Sequence, residues 1–385
     1  MTENLSQTEL KHLIGSVFFL REEDKNLAIL VDVPDQIIPD NPEWRRRREL
    51  ASDWHWKLNQ AKNELGLERV DLIFYPNVHS NNADLPAKAF FYDGDVSSLD
   101  GSTLSALGQP FEFESQLARY QIILAPTEFS TTAPLKLLAK KYHFRAATMP
   151  GFSAAMIPAL KLDYREINRR VDQIKQYLDK SIGVTMDFAL RTGEQYQVYF
   201  DLRYRTAHAS AGRFPEPGVA GNLPSGEAYI VPYEGEKGEP SLSHGILPVQ
   251  FGDEIVLYRI EENIACEVIS TGAASSVEAQ KIKAEPAYGN IAEIGFGVLG
   301  DFGVKPIGEI LLDEKLGLHI AFGRSDHFGG AVGVKSFTAP DKVIHIDRIY
   351  IPEIQPEIVP AKVQLQFDDS SALVIIAQSE YQIWT

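Results

Sequence analysis

Between residues 27 and 144 the chain alternates short apolar runs with amphipathic stretches. "LAILVDVP" (27–34), "VDLIFYPNV" (70–78) and "YQIILAP" (120–126) are compact enough to be buried strands. "NPEWRRRRELASDWHWKLNQAKNELG" (41–66) opens on Asn-Pro, a helix-start signal, and ends at Gly66. "STTAPLKLLAKKYHF" (130–144) offers threonine caps and then a helical pattern. A strand followed by a helix and another strand favours parallel neighbours, because the helix carries the chain back along the sheet. The expectation is an α/β N-terminal domain, a parallel sheet flanked by helices. The basic run "RRRR" (45–48) inside the first helix reads as a solvated face. No glycine-rich phosphate loop follows any of these strands, so nothing supports a nucleotide site.

A charged amphipathic helix, "DYREINRRVDQIKQYLDKS" (163–181), closes this part. After it, "IGVTMDFAL", "QYQVYFDLRY", "GEAYIVPY", "DEIVLYRIE" and "KVQLQFDD" read as strands joined by tight turns. The expected division is 1–182 for the α/β domain and 183–385 for a strand-rich α+β metal-binding domain.

Charge narrows the function. With 53 acidic against 37 basic residues, the net charge of −16 repels polyanions and argues against nucleic acid as a partner. It also leaves carboxylates free for cations. The single cysteine, Cys266, excludes an intrachain disulfide and a cysteine-rich zinc site. Its apolar setting, "NIACEVIS", reads as a buried structural thiol. No apolar run approaches the ~20 residues of a membrane span, and the N-terminus lacks a signal-peptide pattern. A cytoplasmic protein without membrane partners is the expectation.

Several strand-like segments of the second half carry polar residues where apolar ones would serve. In "KVIHIDRIYI" (342–351), His345 and Asp347 are two apart and share a face. In "NIAEIGFGV" Glu293 shares its face with Gly295 and Gly297; in "LGLHIAFG" His319 shares its face with Ala321 and Gly323. Glu227 opens "EAYIVP" just after a Pro-Ser-Gly turn. Small residues beside polar ones suggest space for something other than a side chain. Buried carboxylates need a cation or hydrogen bonds. Imidazoles with carboxylates suit Zn²⁺, Mn²⁺, Co²⁺ or Fe²⁺.

Taken together, "NLPSGEAYIVP", "AEIGFG", "DEKLGLHIAFG" and "HID" resemble, in order and spacing, the aminopeptidase T family of dinuclear metallopeptidases. The resemblance covers the second half and implies metal ligands at Glu227, Glu293, Glu314, His319, His345 and Asp347. It implies two divalent ions (Zn, Co or Mn, with Fe as a further choice) bridged by Glu293, and a homodimer. The expected function is metal-dependent hydrolysis at the N-terminus of a small peptide or similar small-molecule substrate. Two ions would activate a shared water, with Glu227 as the preferred proton acceptor and Glu293 as the bridge. "HIAFGRSDHFGG" departs from the family, which usually carries a tyrosine there; Arg324, Asp326 and His327 are candidate substrate or supporting groups. A relative of the same fold is a mononuclear iron dioxygenase that opens a dihydroxypyridine ring, with a histidine where Glu293 stands. The alternatives are therefore a mononuclear Fe(II) ring-cleaving dioxygenase, or a non-peptidase homologue with a retained metal site.

Overall fold

A computed structural model describes residues 3–384 of the chain. They form two compact units, Met1–Asn168 with Ser210–Ser225, and Arg169–Ala209 with Gly226–Thr385. The chain thus leaves the first unit and returns to it once before completing the second.

In the first unit, β1 (Asn26–Val33), β2 (Arg69–Pro76), β3 (Lys88–Phe91), β4 (Gln109–Glu112), β5 (Ile122–Thr127) and β6 (Arg145–Pro150) follow in chain order. The neighbours β6, β5, β1 and β2 run parallel. β1 is buried at every position after its first, as a strand covered on both faces must be. Ala28 and Leu30 pack in one cluster with Ile73, Ile123, Leu135 and Phe144. The expectation of a purely parallel sheet needs correction, because β3 and β4 join antiparallel beside β2. No helix lies between β2 and β3 to make a crossover, so the chain turns back on itself.

Helix Pro42–Ala61 starts with the Asn41 side chain accepting from the Trp44 N–H at 2.8 Å. Its arginines form a solvated face only in part: Arg45 is exposed and Arg46 half-buried. Arg47 and Arg48 are buried. Arg47 Nε donates to the Phe152 carbonyl at 2.6 Å, and Arg48 grips both Asp40 oxygens at 3.0 and 2.8 Å. A guanidinium tolerates burial where acceptors match its fork.

The second unit is built from antiparallel pairs. Its strands are β7 (Ser181–Leu190), β8 (Gln195–Asp201), β9 (His208–Ser210), β11 (Glu227–Ile230), β12 (His244–Phe251), β13 (Glu254–Glu261), β14 (Ile264–Val268), β15 (Ile291–Gly297), β16 (Leu318–Gly323), β17 (His345–Ile349), β18 (Ile358–Phe367), β19 (Ala372–Ala377) and β20 (Glu380–Tyr381). The intervening β10 (Ala220–Asn222) adds to the first sheet, parallel to β6. One sheet has the order β14-β13-β12-β8-β7-β18-β19-β20, the other β17-β16-β15-β11-β9. Cys266 is exposed rather than buried. It lies on edge strand β14, where the buried Ala265 alternates with exposed neighbours. Among the described residues, no helix is long and apolar enough to cross a membrane.

Candidate metal centre

The five-stranded sheet sets the site through its register. Glu227 lies opposite Gly297, and Tyr229 opposite Gly295. On the next ladder Gly295 faces His319, and Glu293 faces Ala321. On the last, Ala321 faces Asp347 and Gly323 faces His345. Opposed residues share a sheet face, so four strands present Glu227, Glu293, His319, His345 and Asp347 to one side.

The glycines work differently from the expectation of open space. A Cβ at Gly295 would stand 1.9 Å from His319 Nε2, so the imidazole lies over the bare backbone. A Cβ at Gly297 would stand 2.2 Å from the Lys315 carbonyl carbon. The room is taken by a histidine ring and by a neighbouring backbone. Glycine is what permits both close approaches.

Potential ligand atoms gather in two groups, Glu227–Glu293–His319 and Glu293–His345–Asp347, each with its atoms within 4.8 Å of one another. Glu293 belongs to both. Its Oε1 is 3.4 Å from His319 Nε2, and its Oε2 is 3.5 Å from His345 Nε2. Glu227 Oε2 is 3.5 Å from His319 Nε2, and Asp347 Oδ1 is 3.7 Å from His345 Nε2. The far sides of both rings are held by backbone. His319 Nδ1 meets the Gly317 carbonyl at 3.2 Å, and His345 Nδ1 meets the Arg324 carbonyl at 2.9 Å. A carbonyl on Nδ1 fixes that nitrogen as the donor and turns Nε2 toward the carboxylates, the usual support for a metal-binding histidine.

Burial and mutual charge set the protonation. Burial alone would raise Glu293, but hydrogen bonds from His319 and His345 overcome it and hold the carboxyl down at about 2. Burial would lower both imidazoles, yet Glu293 and the other carboxylates hold His319 up to about 10 and His345 up to about 9. Glu227 is pushed up to about 7, chiefly by burial, with Lys315 opposing and Glu314 adding to the rise. Asp347 is pushed up to about 6 by burial and then by the Glu314 charge.

Two buried oxygens, Glu227 Oε2 and Asp347 Oδ1, have no hydrogen-bond partner. Buried carboxylate oxygens normally find a donor. Two imidazoles among carboxylates, with two acceptors left over, form a donor set that fits a divalent cation. Glu293, His345 and Asp347 would hold it, with His319 and Glu227 alongside.

Glu314 belongs to neither group. Its Oε1 accepts a hydrogen bond from Lys315 Nζ, which also bonds Glu227 Oε1. Burial alone would weaken the Lys315 charge, but the two glutamates raise its affinity for the proton. Lys315 has no place in the sequence reading. It follows Glu314 in "DEKLG", and neither spacing nor periodicity marks it for burial.

Arg324 Nε and Asp326 Oδ1 pair with each other at 2.5 Å, and Asp326 is exposed. His327 lies with its ring centre 5.3 Å from that of His345. One side of the ring is exposed; desolvation of the other, followed by the His345 charge, lowers it to about 4. An aromatic group adjoins it. Phe328 meets the His345 ring edge-on at 5.5 Å and Tyr229 at 4.8 Å, and Tyr229 stacks on His208 at 5.2 Å. Tyr229 was legible in principle, since it sits two residues after Glu227 on the same strand face.

No family model and no curated protein matches the chain. The resemblance to aminopeptidase T therefore rests on the four motifs alone. In fold the chain is similar to the solved structure of 2,5-dihydroxypyridine dioxygenase from Pseudomonas putida KT2440, with a TM-score of 0.58 over 98% of each chain and 15% identity.

Proposed function

We propose that the chain is a metal-dependent enzyme and that it opens small hydroxylated aromatic rings with dioxygen. The observation that carries the metal is the convergence of Glu293, His345 and Asp347, with an unpartnered buried oxygen on Asp347. Two features favour the ring substrate. The fold is shared with a dioxygenase of a dihydroxypyridine, and Tyr229, Phe328 and His327 supply aromatic surface beside His345. Aromatic side chains bind a planar ring by stacking or edge contact. When bound, iron(II) supplies the one-electron chemistry that dioxygen requires. The chain's own part is to hold and orient. The Arg324 and Gly317 carbonyls fix the imidazoles, Glu293 links them, and the aromatic group excludes water from one side of the substrate.

The test is anaerobic reconstitution with Fe²⁺, followed by oxygen uptake on a panel of dihydroxypyridines and dihydroxybenzenes. Uptake that depends on both iron and the diol is expected. A second reading, metal-dependent hydrolysis of a small peptide, is favoured by the second group, Glu227–Glu293–His319, which shares Glu293 as a two-metal bridge would. Release of N-terminal residues from a peptide library after Zn²⁺, Mn²⁺ or Co²⁺ loading, without oxygen, would replace the first reading by this one.

A further inference from the structure

Lys315 is 2% exposed, and its Nζ lies between Glu227 Oε1 and Glu314 Oε1. Lysine is rarely this buried unless paired. Burial and the two glutamate hydrogen bonds hold the ammonium in place, and the backbone of its residue is fixed against β15. The backbone of Gly297 approaches so closely that a Cβ there would strike the Lys315 carbonyl carbon at 2.2 Å. The cation is thus a fixed part of the fold.

Its position matters because the two ligand groups are unequal. Each has one unpartnered carboxylate oxygen, Asp347 Oδ1 in one and Glu227 Oε2 in the other, but Glu293–His345–Asp347 has no lysine on it. In Glu227–Glu293–His319, the second oxygen of Glu227 is already bound by the ammonium. A divalent ion on Glu227 Oε2 would sit one carboxylate away from a full positive charge in a site shielded from water. Like charges at that range in a low-dielectric interior repel strongly. Glu314, the other acid that could recruit an ion, is engaged by the same ammonium.

We propose that the Lys315 ammonium stands in for a second metal, neutralising Glu227 and Glu314 so that the chain holds one divalent ion, at Glu293, His345 and Asp347. This rests on the metal reading above and goes beyond it. It fixes the nuclearity and assigns it to one residue. A one-metal centre leaves the two-metal clamp of hydrolysis without its second ion. It also predicts that removing one charge creates a binding site.

The experiment counts metal. Full-length wild type, Lys315→Met and Lys315→Gln are stripped with chelator, loaded with excess Mn²⁺ or Zn²⁺, desalted and analysed for metal per chain. Titration calorimetry on the same samples gives the number of binding events. Wild type should hold one ion. Lys315→Met, an unbranched side chain one atom shorter that loses the charge, should hold two. Lys315→Gln can still hydrogen-bond both glutamates and should also hold two, so it carries the test if the methionine variant does not fold. Adding Asp347→Asn to either variant should remove the first ion and leave the second. Two ions in wild type would overturn the proposal while leaving the metal reading intact. One ion in wild type and in both folded variants would overturn it as well, because the charge would then not be what limits binding. No ion in wild type would overturn the metal reading and this proposal together.

Discussion

Asp32, in the central strand β1 of the first sheet, and Asp347, in the edge strand β17 of the five-stranded sheet, are aspartates whose side chains are both largely shielded from water. Burial is the first cause of the rise in each, and each carboxyl is pushed up to about 6. Their surroundings are opposite. Asp32, near the end of β1, receives the Glu128 N–H at 2.8 Å, the Phe129 N–H at 3.1 Å and the Trp44 indole N–H at 3.2 Å. It ties the end of one strand to the loop after another and to a helix. Asp347 faces other carboxylates and imidazoles, and its Oδ1 has no donor. Burial and a raised proton affinity therefore do not separate a structural acid from a ligand. The supply of hydrogen-bond donors does.

The largest effect should fall on the proposed ligands. Asp347→Asn or His345→Gln should weaken metal binding by more than the ~10–100-fold typical of losing a supporting residue, as read by competition against a chelating dye. Asp32→Asn should leave metal affinity unchanged. A metal defect in the Asp32 variant equal to that at Asp347 would erase the distinction. Next, Gly295→Ala should act as a loss of support. The new methyl would stand 1.9 Å from His319 Nε2, so the ring that bonds Glu293 must move. Metal affinity should fall by about 10–100-fold while circular dichroism shows a folded chain.

A smaller effect should appear in stability against pH. Asp32 has a folded proton affinity of about 6, above its ordinary value, so the folded state keeps this proton after the unfolded state has lost it. The contribution from this group is fully present in acid and is lost as pH rises through about 6. Wild type should therefore gain on Asp32→Asn by ~1–3 kcal/mol as pH falls from 7 to about 4. Denaturant unfolding of the metal-free proteins at several pH values measures it, and a flat difference would remove the acid from the account. The smallest effect belongs to a glycine with no close neighbour. A Cβ at Gly15, in helix Gln7–Phe18, meets nothing within 4 Å. Gly15→Ala should raise stability by ~0.5–1 kcal/mol through helix propensity without touching the metal. This is the reverse of Gly295→Ala.

The sequence by itself determined what local pattern can determine. Apolar runs separated by capped helices are enough for β1, β2 and β5 to lie parallel, because a crossover helix leaves few other arrangements. Alternation along a strand is enough to put His345 with Asp347, and Glu293 with Gly295, on single faces. Spacing cannot name the partner strand, and the rest followed from partners. β3 lies antiparallel to β2 because no helix separates the two, and the return of 210–225 to the first unit leaves no periodic trace. Arg47 and Arg48 look like surface in a charge run, yet the distant Phe152 carbonyl and Asp40, just before the helix, allow their burial. Only the register of β15 on β16 laid the His319 ring over Gly295. Only the approach of the 314–316 turn to Gly297 carried the Lys315 ammonium between two glutamates. A residue's face is a property of its own strand, whereas the charge opposite it belongs to another part of the chain, and folding alone brings the two together.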